Sequence, residues 1–416
     1  MNKKIKPFKI NNSLKILFIL SIPYIAVMLN HNGFMALLPF VRDSFDLTRT
    51  QIGYYSTSIF LSAAILAVFT GNIVDKIGSK AGMIIGVGCF GLMNILFGLA
   101  PSYFILLLFA VIAGLGFSII TPALNKGLMI RTPPHQRAAS MGIMQSGSGV
   151  GGFAGASLLP LLGELWGWRT TIQIAGLFAL LMVLFICALY HDHDQNKNIN
   201  RNSHKRDDKV PPLKVPPLKD NLIFFLSNKQ FLLFCFLGIM LSGASAGSIF
   251  THYAIFLSED LQLSRIASGL GLGVVQVGGI IGRPALGWVS DRFFKGHRSK
   301  ALVLVGFSTG IMYLLYGFVF DNYQFSLAYI YSVTFVLGFF AFGWTGIYFV
   351  AVAEIGGEIR TGGATGMALL FIRVGIFAAP PIFGYMADTS GNYYFSWLTF
   401  GLALILATLV FYKLKQ

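Results

Sequence analysis

The chain has 416 residues, of which 55% are hydrophobic and only 11% are charged, and its mean hydropathy is +0.70. Because about a quarter of the residues of a soluble domain carry a charge, this composition excludes an ordinary soluble protein. The formal net charge of +15 would indicate a nucleic-acid partner in a soluble protein, but the positions of the basic residues, given below, exclude that interpretation here.

Twelve apolar runs of roughly 20 residues follow one another, and this length crosses ~30 Å of hydrocarbon. Each run is predicted to be a helix, because every backbone polar group must be paired inside a membrane. The first run follows a basic segment, but no small-residue cleavage site follows its early part, so we interpret it as an uncleaved span. The predicted spans are residues 14–40, 51–73, 81–99, 102–129, 138–160, 169–190, 229–257, 265–288, 299–320, 325–353, 362–387 and 393–413.

The basic residues are distributed unevenly between the two sides of the membrane. Of 31 lysines and arginines, 24 fall in segments on one side, and only Arg42, Arg49, Arg169 and Arg265 fall in loops on the other. The positive-inside rule therefore predicts a multi-pass protein of the bacterial inner membrane with both termini in the cytoplasm. Membrane lipids are expected partners, and nucleic acid is not.

One long polar stretch divides the pattern into two sets of six spans. It contains the tandem sequence VPPLK-VPPLK, whose proline pairs favour an extended, water-exposed backbone. The predicted domains are an N-terminal six-helix bundle (1–190), a cytoplasmic linker (191–228) and a C-terminal six-helix bundle (229–416). The tract HDHD at 191–194 has a metal-like composition, but we interpret it as hydrated linker, and no cofactor or metal site is predicted.

The two sets of spans share a sequence pattern. The first set contains Leu47-Thr48-Arg49, Gly53, Gly71 and Asp75, and each has a counterpart 216 residues later in Leu263-Ser264-Arg265, Gly269, Gly287 and Asp291. Six matched positions at one offset indicate a duplicated unit. Parallel repeats of this kind occur in transporters whose substrate site lies between the halves.

The loop after span 2 reads Gly71-Asn-Ile-Val-Asp75-Lys76-Ile-Gly78-Ser-Lys80, and a shortened form, Gly287-Trp-Val-Ser-Asp291-Arg292, follows span 8. This loop resembles the signature of the major facilitator superfamily, G-x-x-x-D-[RK]-x-G-x-[RK]. The resemblance implies an all-α fold of twelve transmembrane helices in two pseudo-symmetric bundles, and spans 3, 6, 9 and 12 facing lipid. It also implies a monomeric transporter, not an enzyme, that works by alternating access on a small-molecule substrate. The residues that it assigns to gating are Gly71, Asp75, Lys76, Gly78, Lys80, Gly287, Asp291 and Arg292.

Arg373 is the leading candidate for a substrate ligand. It lies about ten residues into span 11, and no carboxylate occupies the middle of any span. An ionisable group in the membrane costs about 2.5–3.5 kcal/mol on insertion scales, so it is a functional candidate by default. An anionic ligand is the predicted partner of Arg373, and the alternative is bonding to carbonyl groups at a helix break.

Other polar residues within spans are weaker candidates. His31 is the predicted proton carrier, since an unperturbed imidazole titrates near pH 6.5, and the alternative is a neutral, hydrogen-bonded histidine. Lys126 could contact the substrate or extend toward the membrane surface. Arg283, beside Pro284, is interpreted as structural. The remaining predicted substrate-site residues are Asn30, Asn125, Gln145, His252, Gln276 and Tyr348.

The stretch from Pro122 to Gly147 resembles branches of the superfamily that carry small anions, namely cyanate/nitrate-type permeases and organic anion:cation symporters. Span 5 also has glycines spaced as in the antiporter motif of drug exporters, but Ala156 stands where that motif has proline. The leading hypothesis is therefore proton-coupled uptake or exchange of a small organic carboxylate. The alternatives are proton-coupled efflux of a drug or metabolite, and a non-transporting sensor or membrane enzyme.

Overall fold

The computed structural model describes residues 10–132, 137–190, 218–320 and 325–415, and within these ranges the chain is helical, with no β-strand. The first half consists of five helical elements. They are α1 (Ile10–Phe45), α2 (Arg49–Leu99), α3 (Tyr103–Arg131), α4 (Arg137–Trp166) and α5 (Trp168–Leu189).

The second half begins after a short helix. Its elements are α6 (Leu218–Ser227), α7 (Lys229–Ser242), a π-helix (Gly243–Ile249), α8 (Phe250–Glu259), α9 (Arg265–Arg292), α10 (Arg298–Phe318), α11 (Leu327–Ser390) and α12 (Tyr394–Lys415). The helix α6 occupies the end of the predicted linker, and residues 191–217 lie outside the described residues. The linker boundaries stay a prediction.

Two of these elements each contain two membrane spans. Helix α2 is broken at Gly78, with φ 89°, and α11 is broken at Gly357, with φ 60°. Positive φ angles suit glycine because it has no Cβ. The predicted loop between spans 2 and 3 is thus reduced to one non-helical residue. We refer to the limbs before and after each break as the first and second limb.

With α7, the π-helix and α8 counted as one span, the elements account for the twelve predicted crossings. Ten described stretches are long and apolar enough to cross a membrane. The first limb of α2 and α4 are helical but fall outside that set, and both are rich in glycine and serine. These two helices contact the second half: the first limb of α2 packs on the second limb of α11, and α4 packs on α9.

The surface and the core divide as expected for a protein in lipid. Helices α5, α10 and α12 expose large apolar side chains such as Leu184, Ile311 and Leu406. The second half has an aromatic core in which Trp397 contacts Tyr253, Tyr313, Tyr316 and Phe383. Each half is therefore a packed bundle, and the interface between the halves is where function can reside.

Candidate substrate site and the gate above it

Two ends of the molecule are defined by the repeated sequence pattern. The gate end is where α1 ends and α2 begins, at Arg42 to Arg49, and it also holds the junction of α8 and α9. The motif end is the opposite one, where Gly78 and Arg292 lie.

The carboxylate of Asp388, near the end of α11, caps the first turn of α2 at the gate end. Its Oδ1 accepts the Arg49 backbone N–H at 2.8 Å, and its Oδ2 accepts the Thr50 N–H at 2.8 Å and the Thr50 hydroxyl at 2.5 Å. The first amides of a helix lack intrahelical acceptors and carry partial positive charge. A carboxylate of the second half thus satisfies donors of the first half.

The Arg49 guanidinium connects the same helix to α8. Its Nη2 lies 3.0 Å from Glu259 Oε2 and 3.7 Å from Asp260 Oδ1, and its Nη1 donates to the Ala387 carbonyl at 3.0 Å. The side chain of Arg49 is only 12% exposed, so solvent screens these contacts weakly. The guanidinium also lies 5.0 Å from the ring centroid of Tyr393.

Two further ion pairs complete the gate. Arg42 of α1 pairs with Glu259, and Arg265 of α9 pairs with Asp43, at the end of α1. The Arg265–Asp43 pair is more exposed, at 38% and 56%. The ion pairs run in both directions, since each half contributes both arginine and carboxylate side chains.

The repeated Leu-(Thr/Ser)-Arg sequence has a structural explanation in this gate. Thr48 and Ser264 are both N-caps, which accept the backbone N–H three residues later, and Arg49 and Arg265 each begin the following helix. The duplicated unit therefore places one arginine per half at the gate end, aimed at carboxylates of the other half.

The repeated glycines bring the backbones of the two halves together beneath these arginines. A Cβ added at Gly53 would lie 2.5 Å from the nitrogen of Pro381, and one added at Gly269 would lie 2.4 Å from Cγ of Pro160. Any side chain larger than hydrogen would force the halves apart. Small residues allow close helix approach in membranes, where lipid gives no hydrophobic drive for association.

Buried polar contacts continue the interface toward the membrane centre. Ser56 Oγ lies 2.6 Å from Thr251 Oγ1, and Gln276 Nε2 donates to Asn32 Oδ1 at 2.8 Å. The Thr57 hydroxyl donates to the Phe377 carbonyl at 2.6 Å. These bonds close the space between the halves over the whole distance from the gate.

Two arginines of the second half follow at the next level. Arg373 Nη1 donates to the Ala63 carbonyl of α2 at 2.7 Å. Arg283 of α9 interacts electrostatically with the Tyr24 hydroxyl of α1, which also bonds with Thr121. A further hydroxyl at this level, that of Ser148 on α4, also bonds with Tyr24. We call this group of side chains the arginine layer: Arg283, Arg373, Tyr24, Thr121 and Ser148.

The two arginines lie at matching depths. Arg283 is 18 residues from the start of α9, and Arg373 is 17 residues from the end of α11. At a rise of 1.5 Å per residue, both are about 26 Å along their helices from the gate end. Among pairs of described residues, the hydrogen bonds and ion pairs that join the halves all lie on the gate side of this level or within it.

Neither arginine has a carboxylate partner within the described residues. Arg373 uses one of its five N–H donors on Ala63, and Arg283 makes no protein hydrogen bond there. Both side chains are only partly buried. The arrangement presents unpaired donors and positive charge inside the membrane, which can bind an anion.

Two more predicted residues lie beside the arginine layer. Asn125 is one helical turn from Thr121 on the same face of α3, and its buried Oδ1 has no partner among described residues. Gln145 is three residues before Ser148 on α4, and its side chain lies outside the described residues. Gln276, as the partner of Asn32, lies between this layer and the gate.

Lys126 and His252 lie elsewhere and bond to backbone carbonyls. Lys126 Nζ donates to the Val74 carbonyl at 3.0 Å, close to the break at Gly78. His252 is fully buried, with Nε2 at 2.8 Å from the Pro380 carbonyl and Nδ1 at 3.0 Å from the Tyr393 hydroxyl.

Three other predicted residues are buried inside single bundles. Asn30 accepts from Asn94 at 2.7 Å within the first half. His31 is 3% exposed, in a cage of three phenylalanines, and its Nδ1 has no partner among described residues. Tyr348 is fully buried against Gly238 and Cys235 in the second half.

The motif residues are at the motif end, as the pattern predicts. Lys80 Nζ donates to the Cys187 carbonyl at 2.9 Å, and Asp291 pairs with Arg298 of its own half. Lys76 and Arg292 are exposed, and a Cβ at Gly287 would meet nothing within 4 Å. The side chains of Gly71 and Asp75 lie outside the described residues, so their predicted gating role stays a prediction.

Sequence reasoning missed Arg283 and Tyr24 as parts of the site and the gate carboxylates Glu259 and Asp388. A signal for Arg283 existed, because it is an intramembrane arginine like Arg373. The repeated Thr48-Arg49 sequence also marked the gate, although its role was visible only when the helices were placed together.

A sequence profile described as the Major Facilitator Superfamily matches residues 20–380 of the chain. The chain belongs to this superfamily. The predicted fold of twelve helices in two bundles, the multi-pass membrane location and the transporter class are thereby confirmed, as is the prediction that the protein is not an enzyme.

Several curated relatives of this facilitator cover most of both chains. The membrane sensor protein UhpC of Escherichia coli is 23% identical, over 86% of this chain and 82% of that protein. The hexuronate transporter of Bacillus subtilis is 22% identical over 89% and 87%. The quinolone resistance protein NorA of Staphylococcus aureus is 25% identical over 90% of each.

A solved structure supports the same fold. A bacterial homologue of the human lysosomal transporter Spinster, in an inward-facing and occupied conformation, superimposes on this facilitator with a TM-score of 0.77. The alignment covers 96% of each chain at 15% sequence identity, so the similarity concerns the fold alone.

We predict that Gly53→Ala opens the gate, because the new methyl group would lie 2.5 Å from the Pro381 nitrogen. The measurement is the distance distribution between spin labels at the exposed residues Asp46 and Ser390. We expect a longer-distance population in Gly53→Ala. Gly346→Ala is the matched control, since its Cβ meets nothing within 4 Å. Identical distributions for the two variants would contradict the role given to Gly53.

We also predict unequal coupling within the two ion pairs of the gate. Exposed pairs contribute about 0.2–1 kcal/mol, and the Arg265–Asp43 pair belongs in that range. The coupling free energy of Arg49–Glu259 should be larger, because these side chains are 12% and 21% exposed. Double-mutant cycles with alanine, read as thermal unfolding in detergent, measure both values. Equal coupling would show that burial does not strengthen the gate.

Proposed function

We propose that this facilitator transports a small organic anion, a carboxylate, by alternating access with coupling to protons. The observation that carries the proposal is the arginine layer, where Arg283 and Arg373 lie within the membrane without a carboxylate partner among described residues. Each such charge costs about 2.5–3.5 kcal/mol on insertion scales. An anionic substrate offsets this cost by supplying the missing acceptors.

The chemistry of the layer favours a carboxylate that carries other polar groups. A guanidinium presents a planar fork of donors that matches two carboxylate oxygens, and Arg373 keeps four of its five N–H donors free of the Ala63 carbonyl. Hydroxyl groups on the first half, such as those of Tyr24 and Thr121, face the same level. They suit the hydroxyl groups of a sugar acid or hydroxy acid.

A substrate bound in this way would contact both halves at once. Its carboxylate would bind the arginines of the second half, and its polar remainder would bind Tyr24, Thr121 and Ser148 of the first half. Bridging of this kind favours closure of the two bundles around the substrate, since a ligand shifts a conformational equilibrium by its differential affinity.

The relatives support an anionic substrate for this chain. The hexuronate transporter, at 22% identity, is named for a sugar acid, which has the combination of carboxylate and hydroxyl groups that suits the arginine layer. UhpC, at 23% identity, is named as a sensor, so transport itself has to be demonstrated.

The direction of the molecule in the membrane is part of the proposal. The excess of lysine and arginine at the motif end places that end in the cytoplasm and the gate end outside. With the gate closed by Arg49, Glu259 and Asp388, a bound substrate would leave toward the cytoplasm. Opening the gate requires these ion pairs to break, and partly exposed pairs are weak enough to do so.

His31 is the proposed proton carrier. Its imidazole ring centroid lies 5.5, 6.3 and 5.3 Å from those of Phe60, Phe90 and Phe117. The Nδ1 atom is buried without a partner among described residues, so it is available to take up a proton. Because the cage belongs to α2 and α3, movement of these helices during the cycle would change the environment of the imidazole.

Efflux of a drug or metabolite is the second candidate, and NorA at 25% identity is the observation that favours it. Cationic drugs require a carboxylate in the membrane core, and the sequence has none in the middle of any span. The arginine layer therefore favours the anion over the cation.

We predict that Arg373→Ala and Arg283→Ala each lower uptake of an anionic probe about 10- to 100-fold, because a hydrogen bond to a charged group contributes about 1.5–3 kcal/mol. The assay measures labelled glucuronate, lactate and glucose 6-phosphate in proteoliposomes. Arg373→Lys keeps the charge but loses the fork, so it should raise KM more than it lowers kcat.

The control for this assay is Lys229→Gln, which removes an exposed basic residue at the start of α7 and should transport normally. Near-normal uptake by both arginine variants would refute the proposed site. Absence of uptake of any of these anions by the wild-type protein would refute anion transport, and drug extrusion by the same vesicles would then favour efflux.

We predict that His31→Gln abolishes the stimulation of uptake by an inward proton gradient but preserves exchange of internal for external substrate. The physical reason is that glutamine can hydrogen-bond in the cage but cannot carry a proton. The measurement compares gradient-driven uptake with counterflow in the same vesicles. His297→Gln, an exposed histidine at the motif end, is the control. Full gradient stimulation in His31→Gln would assign the proton to another group.

A further inference from the structure

Two cavities meet at the motif end of the second half, where α10 begins and α12 ends. One has a volume of about 430 Å³ and is lined by polar groups that include Gln230, Arg298 and Glu354. The other has a volume of about 340 Å³ and a mostly apolar lining. They share three lining residues, His297, Ser299 and Lys415. The two cavities together therefore offer a polar chamber continuous with an apolar one.

The polar side of this double cavity carries excess positive charge. Arg298 is held by Asp291 and by Glu354, whose Oε1 lies 3.5 Å from the Arg298 Nε. Lys300 and Lys415 have no carboxylate partner or hydrogen bond among the described residues, and Lys415 Nζ lies 5.6 Å from the ring centroid of Phe234. Two lysines are thus available to an external anion.

The backbone adds donors at the same place. Helix α10 has 21 residues, and the residue before it, His297, makes no side-chain cap. The backbone N–H groups of Arg298 and Ser299 find no acceptor among the described residues. Free amides at a helix N-terminus, together with the helix dipole, favour a phosphate group.

The apolar chamber faces the hydrocarbon. It is lined by Val303 of α10 and by Phe411 and Tyr412 of α12, and Tyr412 is 43% exposed. The same helices expose Leu304 and Leu409 to the membrane. A free phosphate would contact only the polar chamber, whereas a phospholipid has both a phosphate for the lysines and an acyl chain for the groove.

We propose that an anionic phospholipid binds between α10 and α12, with its phosphate at Lys300 and Lys415 and an acyl chain along Val303 and Phe411. The charge complementarity and the level of the site at the membrane surface favour this occupant. The bound phosphate lies beside Arg298, the partner of motif residue Asp291. The lipid therefore contacts the segment that carries the second-half gating motif.

The experiment titrates the full-length purified protein in detergent with phosphatidylglycerol and measures binding by native mass spectrometry. We expect the affinity of Lys300→Gln/Lys415→Gln for one phosphatidylglycerol to fall about 30-fold, which corresponds to about 1 kcal/mol for each lysine near an anionic lipid. Lys229→Gln/Lys295→Gln removes the same charge from exposed positions outside the cavities, and it should bind like the wild-type protein.

A second variant tests the acyl chain separately. Val303→Trp fills the apolar chamber and leaves the charges in place, so it should also weaken phosphatidylglycerol binding. Equal binding of phosphatidylcholine and phosphatidylglycerol, or equal loss in the two double variants, would overturn the proposal. Binding of glycerol 3-phosphate as tight as that of the lipid would show a free-anion site instead, and would also overturn it.

Discussion

The close approach of the two halves at Gly53 and Gly269 is the constraint on which the rest of the interface depends. Lipid provides no hydrophobic force between helices, so the halves hold together through contact of small residues and through polar bonds. The missing side chains allow Pro381 and Pro160 to reach the opposite backbone. Only at this separation can Asp388 cap α2 and can Arg49 reach Glu259.

The interface changes character with depth. Charged pairs lie at the gate end, where water is near, and neutral pairs such as Ser56–Thr251 lie deeper. Unpaired arginines lie deepest along this path. This order follows the cost of burial, because a neutral hydroxyl pair tolerates a low dielectric that an unpaired charge does not. The exception, the arginine layer, is where a ligand of opposite charge has the largest effect.

The duplicated sequence connects the gate with the fold. Thr48-Arg49 and Ser264-Arg265 perform the same two tasks in each half, capping a helix and supplying a gate arginine. Their carboxylate partners do not repeat, since Asp388 and Glu259 lie on different helices from the one that bears Asp43. The duplication fixed where the arginines stand, and later divergence decided how strongly each half is held, as the difference in exposure between the two pairs indicates.

The sequence alone determined the twelve crossings, the duplicated halves and the superfamily, because hydrocarbon thickness and backbone pairing permit few alternatives. It also identified Arg373, since an intramembrane charge is conspicuous in any apolar run. Tertiary structure alone decided that Arg283 and Tyr24 join Arg373, that Lys126 bonds to Val74, and that His252 and Tyr348 are buried within the second half. The physical reason is that membrane helices are apolar on every side, so hydrophobic periodicity does not show which face meets lipid, a neighbouring helix or the opposite half.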